Sequence, residues 1–309
     1  MLTYLLALLA AGANAASSVL QRKANRRVPR KQNLSLRLIW SLLHQPVWFG
    51  GVLAVIVGFL LQAAALGTGE LAVVEPVLVL ELPVTLLLAS RVFGTRLHRR
   101  EWGATAVMTA ALAGLLYCLA PSSGAAQHVP WYTWVTGIGV NLAVIAGLTA
   151  WGRTGPAGKG GRAGRRGGSS ARQAAVLGVA AGSGFGLTAA LMKGMTTAYA
   201  HGIGTVLTSW ELYAMIASGV LAMFLLQSAV NAGRLISAQP GLTLSDPVVS
   251  ILWGALVFHE RLRGGWLILP SLACGLALVA AVIVLARSPL LSRDTAGPPS
   301  RRPADAPCS

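Results

Sequence analysis

Acidic residues are scarce in this chain, with nine Asp and Glu against 25 Lys and Arg in 309 residues. Charged residues of both signs reach only 11%, too few to cover a soluble protein of this length. Cysteine is nearly missing as well. Cys118 and Cys274 lie inside apolar blocks, Cys308 lies in a polar tail, and none forms a CxxC or a Cys/His cluster. A disulfide framework and a zinc site are therefore not supported. The five histidines (His44, His98, His128, His201 and His259) are scattered through loops and the ends of apolar blocks. With no His/Asp/Ser constellation on one face, no enzyme and no catalytic residue is expected. No GxxxxGK[ST] loop occurs, so ATP drives nothing through this chain, and no cofactor is expected.

What the chain does have is apolar sequence, 54% of it, in blocks of about twenty residues, the length that spans a bilayer core. Nine spans are read at approximately 3–20, 47–66, 72–93, 102–120, 131–151, 174–198, 204–226, 235–258 and 266–286. The first mimics a signal peptide, with Ala13-Asn14-Ala15 as a cleavage site. No basic residue precedes its apolar run, so it is read as a retained helix. Trp48, Trp102, Trp131, Trp134 and Trp266 fall at span ends, as an interfacial belt requires.

The net charge of +16 raises the question of nucleic acid. The basic residues sit in loops between apolar blocks without aromatic interleaving, so no nucleic-acid partner is expected. They mark sidedness instead. Arg22 to Arg37, Arg96 to Arg100 and Arg153 to Arg172 share one side only with the N-terminus outside and the C-terminus cytoplasmic, a positive-inside pattern. A multi-pass protein of the plasma membrane is expected.

Internal similarity is the most informative feature. Phe59-Leu60-Leu61-Gln62 recurs as Phe224-Leu225-Leu226-Gln227. Glu75-Pro76 matches Gln239-Pro240, Pro83 matches Pro247 and Trp102 matches Trp266, the last three in one register. Spans one to four thus correspond to spans six to nine, and an odd connecting span inverts the second set. The expected fold is an all-α integral membrane protein of about nine transmembrane helices in two inverted four-helix repeats joined by a connecting helix. Its parts are a first repeat at 1–120 with an interfacial helix at 34–44, a connecting span at 121–152 and a flexible basic loop at 153–173. The second repeat occupies 174–288, and a disordered tail 289–309. Inverted repeats characterise secondary transporters, with the site near the midplane.

Val248 to Trp266, with Phe258-His259-Glu260-Arg261-Leu262, resembles the helix-loop-helix of the drug/metabolite transporter superfamily, especially its EamA-like members. Glu75 to Trp102 resembles the same unit, with Arg96 where that family usually has Glu. Ser17 to Ala24 is similar to the start of NIPA-type magnesium transporters. EamA-like members usually have ten spans; nine favours the NIPA-like arrangement. The resemblance implies a secondary active transporter working by alternating access. Its substrate would be a small cationic or zwitterionic metabolite or drug, with proton coupling open. The alternatives are a NIPA-like divalent-cation transporter and, in another class, a non-transporting scaffold or receptor. The partners expected are the lipid bilayer and a small-molecule or cation substrate, and a homodimer stays open.

Four acids lie within the spans: Glu75, Glu81, Glu211 and Asp246. Ionisable groups at that depth are expensive and default to function. Glu81 lies roughly 13 Å into its span at 1.5 Å per residue, and Asp246 lies at a similar depth in the corresponding span. Each sits beside a proline, Pro83 or Pro247, which should free the carbonyls of Val79 and Thr243. Glu81 and Asp246 are expected to line a cavity and bind a cation or exchange protons; the alternative is a structural hydrogen bond between helices. Glu75 and Gln239 extend this pathway. Lys193 and Glu211 are expected to pair, structurally or as a gate. No metal ligand set is assigned.

Overall fold

A computed structural model describes residues 1–25, 46–94, 98–119, 129–153, 166–199, 202–232, 235–261, 263 and 265–286. The interfacial helix expected at 34–44, residues 154–165 of the basic loop and the tail lie outside these residues. The described chain is helical, without a strand. Its helices are α1 (Leu2–Asn25), α2 (Pro46–Thr68), α3 (Leu71–Leu78), α4 (Glu81–Phe93), α5 (Arg99–Leu119) and α6 (Trp131–Arg153). They continue as α7 (Arg166–Tyr199), α8 (Ile203–Thr208), α9 (Trp210–Ala232), α10 (Leu235–Leu256) and α11 (Ile268–Ala286), the last preceded by a 3₁₀ turn at Gly265–Leu267.

Eight segments are long and apolar enough to cross a membrane, with Leu71–Phe93 counted as one. α10 is 22 residues long, but Gln239, Ser245 and Asp246 lower its apolarity and keep it out of that set. Two boundaries differ from the sequence expectation. α7 begins at Arg166, inside the segment read as a flexible loop. The span expected from 204 begins at Trp210, because Ser209 is extended (φ −71°, ψ 136°) and separates α8 from α9.

Local chemistry sets several ends. Pro46 opens α2, where its missing N–H costs nothing. Glu101 Oε2 accepts the His98 backbone N–H at 2.8 Å, half of a capping box at the start of α5. Gly94 ends α4 in the left-handed conformation (φ 65°).

Inside a bilayer, helices gain nothing by hiding apolar surface from lipid, so association rests on close packing and hydrogen bonds. α7 shows this best. Gly178, Gly182 and Gly186 form a stripe at every fourth residue. A Cβ at Gly178 would strike the Ala238 carbonyl, at Gly182 the Leu242 carbonyl and Ser245 Oγ, and at Gly186 the Asp246 carbonyl. α10 therefore lies almost backbone to backbone on α7. Ser245 Oγ adds a bond to the Val179 carbonyl at 3.0 Å. α7 also packs on α9 and α6, which makes it the central helix. In the first half α1 packs on α2, α3 and α4. The halves meet where α3 lies on α10 and α5 lies on α11.

Contacts at the helix ends define two faces of the bundle. Thr3 bonds the Thr68 carbonyl, Arg263 N–H bonds the Leu119 carbonyl, and Lys193 reaches Gly69; this is the Gly69 end. Gly51 lies against Gln21, and Gly152 against Val176; this is the Gln21 end. Trp102, Trp131 and Trp266 are exposed near helix ends. Trp134 is not an interfacial anchor. It is buried, with its ring 5.3 Å from Trp210 and 5.6 Å from both Trp253 and Phe258. The side chain of Trp48 lies outside the description.

Candidate functional site

A cavity of about 580 Å³ lies between the halves. Asn14 and Ser18 reach it from α1, Phe59 and Gln62 from α2, and Phe185, Thr188, Ala189 and Met192 from α7. The acids come from three further elements: Glu75 from α3, Glu81 from α4 and Asp246 from α10. Gln239 and Pro247 line it too, and Pro83 does not. Among the described residues, no Lys, Arg or His faces the cavity. Three carboxyls without a cation repel one another when ionised, and a bound cation or proton relieves that repulsion.

Each acid is held differently. Glu75 is buried and accepts a 2.9 Å bond from Gln62 Nε2. It sits in the third of its span nearest the Gly69 end, with its carboxyl held inside the bundle. Glu81 Oε1 meets Ser18 Oγ at 3.5 Å, a long contact that water or a ligand could replace. Asp246 Oδ1 is buried with no hydrogen-bond partner among the described residues. Buried polar atoms are nearly always satisfied, so this oxygen marks the position a ligand or proton would take. The Gly182 and Gly186 close contacts set Asp246 at this depth by pressing its backbone against α7.

The span carrying Glu81 is broken and the one carrying Asp246 is not. α3 ends at Leu78, and α4 begins at Glu81. The Val79 carbonyl, expected to be free, accepts the Leu82 N–H at 3.1 Å in a tightened turn. That carbonyl is therefore not left free as expected, and one of its two lone pairs is already used. α10 carries Pro240 and Pro247 inside one continuous helix.

The expected pair of Lys193 and Glu211 does not form. Lys193 Nζ bonds Glu260 Oε1 at 2.8 Å and the Gly69 carbonyl at 2.8 Å. Both side chains of the pair are buried. Glu260 also accepts two backbone N–H groups at the start of α3, from Leu71 at 2.7 Å and Ala72 at 3.0 Å. A carboxylate at a helix N-terminus with a cation beside it is favoured twice over. Sequence reasoning kept Glu260 as a marker of resemblance and missed this role. The signal was available: an acid in a short loop between two spans, and a lysine within a span. Asn14, Ser18 and Thr188 were also missed as lining residues, since span polar groups more often bond between helices.

Among the described residues, no group of three or more His, Cys, Asp or Glu is placed to hold a metal ion. Glu75, Glu81 and Asp246 share a cavity without converging on one point.

No protein-family model and no solved structure matches the chain. An uncharacterized protein of Corynebacterium glutamicum is 30% identical over 285 residues, 92% of this chain and 93% of the relative. The match covers most of both chains rather than one segment, and the chain belongs to the same family as that corynebacterial protein.

Proposed function

We propose that this protein is a secondary transporter of the drug/metabolite transporter type, moving a small organic cation or zwitterion by alternating access. The observation that carries the reading is the cavity between the two halves, with three carboxyls, amide and hydroxyl groups and, among the described residues, no facing base. Its volume suits an organic molecule, and Phe59 and Phe185 on its wall are aromatic groups of the kind that attract a cationic head. Glu81 and Asp246 bind the cation or exchange protons with it, Glu75 and Gln239 extend the pathway, and the Pro247 segment forms part of the wall.

The packing supports two inverted repeats. α1 on α2 is matched by α7 on α9, α1 on α3 and α4 by α7 on α10, and the joining pairs α3–α10 and α5–α11 each unite equivalent spans. α6 is the connector, and α10, eighth in chain order, added to the eight segments above makes nine spans. Arg91, Arg99, Arg100 and Arg172 are exposed toward the Gln21 end, which supports a cytoplasmic placement of that end. The divalent-cation reading is less well supported, because the carboxyls do not converge.

Purified protein in proteoliposomes with a pH-sensitive dye tests the proposal. Magnesium, amino acids and organic cations are added in turn, with and without a proton gradient. Flux of an organic cation or zwitterion supports it. Magnesium flux alone moves the assignment to the divalent-cation reading, and silence across the panel returns the protein to the scaffold class.

A further inference from the structure

At the Gly69 end the cavity is closed by a contact that joins the halves. Phe258, Leu71 and Leu191 are almost completely buried there, and the Glu260 carboxylate sits among them. Toward the other end, Gln239 lines the cavity only four residues after the start of α10. Every residue from Gln239 to Asp246 is half-buried, whereas Trp253, Gly254, Val257 and Phe258 are buried. The cavity thus reaches toward the Gln21 end and is sealed at the Gly69 end.

Resting on the transport reading above, we infer that Glu260, seated on Lys193 and the α3 N-terminus, is the gate at the Gly69 end, latched while the cavity faces the opposite end. The latch has the properties of a two-state element. A buried ion pair that loses one partner leaves an uncompensated charge, so intermediate separations are costly. Room for the carboxylate is made by Gly254, where a Cβ would strike Glu260 Oε2. The loop that delivers it holds His259 at φ 52°, a left-handed conformation unusual for a side-chain-bearing residue.

The latch is also connected to the site. α3 has only eight residues, and the turn at Val79–Leu80 separates it from α4. It carries Leu71 and Ala72 at the latch and Glu75 at the cavity, so it moves both as one short rigid piece. A cation drawn between Glu75 and Asp246 displaces α3 and loosens its N-terminus from Glu260. The repeat places Arg96 where the second half has Glu260, so the matching position at the other end carries no carboxylate.

Thiol labelling tests this in the full chain, with Cys118→Ala, Cys274→Ala and Cys308→Ala as background. Ala189→Cys lies on the cavity wall one turn below Lys193, and Thr68→Cys, at an exposed residue, marks the Gly69 face. A membrane-impermeant thiol reagent is applied to right-side-out and inverted vesicles. The parent should label at Ala189→Cys only from the face opposite Thr68→Cys. Adding Glu260→Gln should raise labelling from the Thr68 face about tenfold or more, as a shifted two-state equilibrium requires. Lys193→Met should act in the same direction, and the double variant should add little. Labelling unchanged within about twofold in both single variants, each monodisperse on size exclusion, overturns the gate. Cation flux is read separately: normal flux with unchanged labelling sinks the gate alone. Raised labelling with no flux in the parent chain supports the gate and sinks the transport reading.

Discussion

The segments Leu71–Phe93 and Leu235–Leu256 carry prolines at one constant offset in the sequence, yet they fold differently. Each carries two prolines in matching register, and the first brings two carboxyls to the cavity against one from the second. The first breaks at Val79–Leu80, while the second runs unbroken through Pro240 and Pro247. Proline alone therefore does not decide where these helices break. The first segment has a partner at its N-terminus, the Glu260 carboxylate, that fixes α3 as a separate short helix. The second is held along its length by the glycine stripe of α7, which leaves no space for a break to open. Under the proposed transport function, the first segment would be the moving arm and the second its seat.

The sharpest way to break that comparison is to remove the cap. Glu260→Ala should destabilise the protein by about 3–5 kcal/mol, because Lys193 is left buried without its counter-charge. Thermal unfolding in detergent measures this, and a loss below about 1 kcal/mol would mean the pair is marginal. Next come the two acids. Glu81→Gln and Asp246→Asn should each lower coupled flux by about 100-fold, roughly 2.7 kcal/mol of lost interaction, with folding intact. If only one of them matters, the segments are not functional equivalents.

Gly182→Ala should push α10 from α7 and cost about 1–3 kcal/mol by overpacking against backbone. Gly139→Ala, where an added Cβ meets nothing within 4 Å, should be neutral or stabilise by up to about 1 kcal/mol. The smallest difference is expected between the prolines. Pro83→Ala lies in the first turn of α4, where proline is tolerated, and should shift stability by less than about 0.5 kcal/mol. Pro247→Ala lies in a helix interior and should stabilise α10 measurably more while slowing flux.

Most of the span positions were legible because apolar blocks of fixed length leave few other solutions. Glu81 and Asp246 could be paired from sequence alone, since helical rise converts residue number into depth. The partner of Lys193 could not be found that way. Glu211 was the nearer acid in sequence and lay at the same end, whereas Glu260 is 67 residues away and enters through a loop. The break before Glu81 was hidden for a related reason: its prolines are shared with an unbroken helix, and the deciding group comes from the other half. The glycine stripe was present in the sequence, but its orientation toward α10 depends on which helix lies opposite.

The central claim is that the carboxyl cavity is where the transported cation sits. Labelling with a membrane-permeant carbodiimide, mapped by mass spectrometry with and without the transported cation, tests it most directly. Modification at Glu81 and Asp246 that is strongly suppressed by that cation, and not by an anion of similar size, is the predicted result. Labelling of both carboxyls untouched by a cation that the same vesicles are transporting would place the substrate elsewhere and contradict the account.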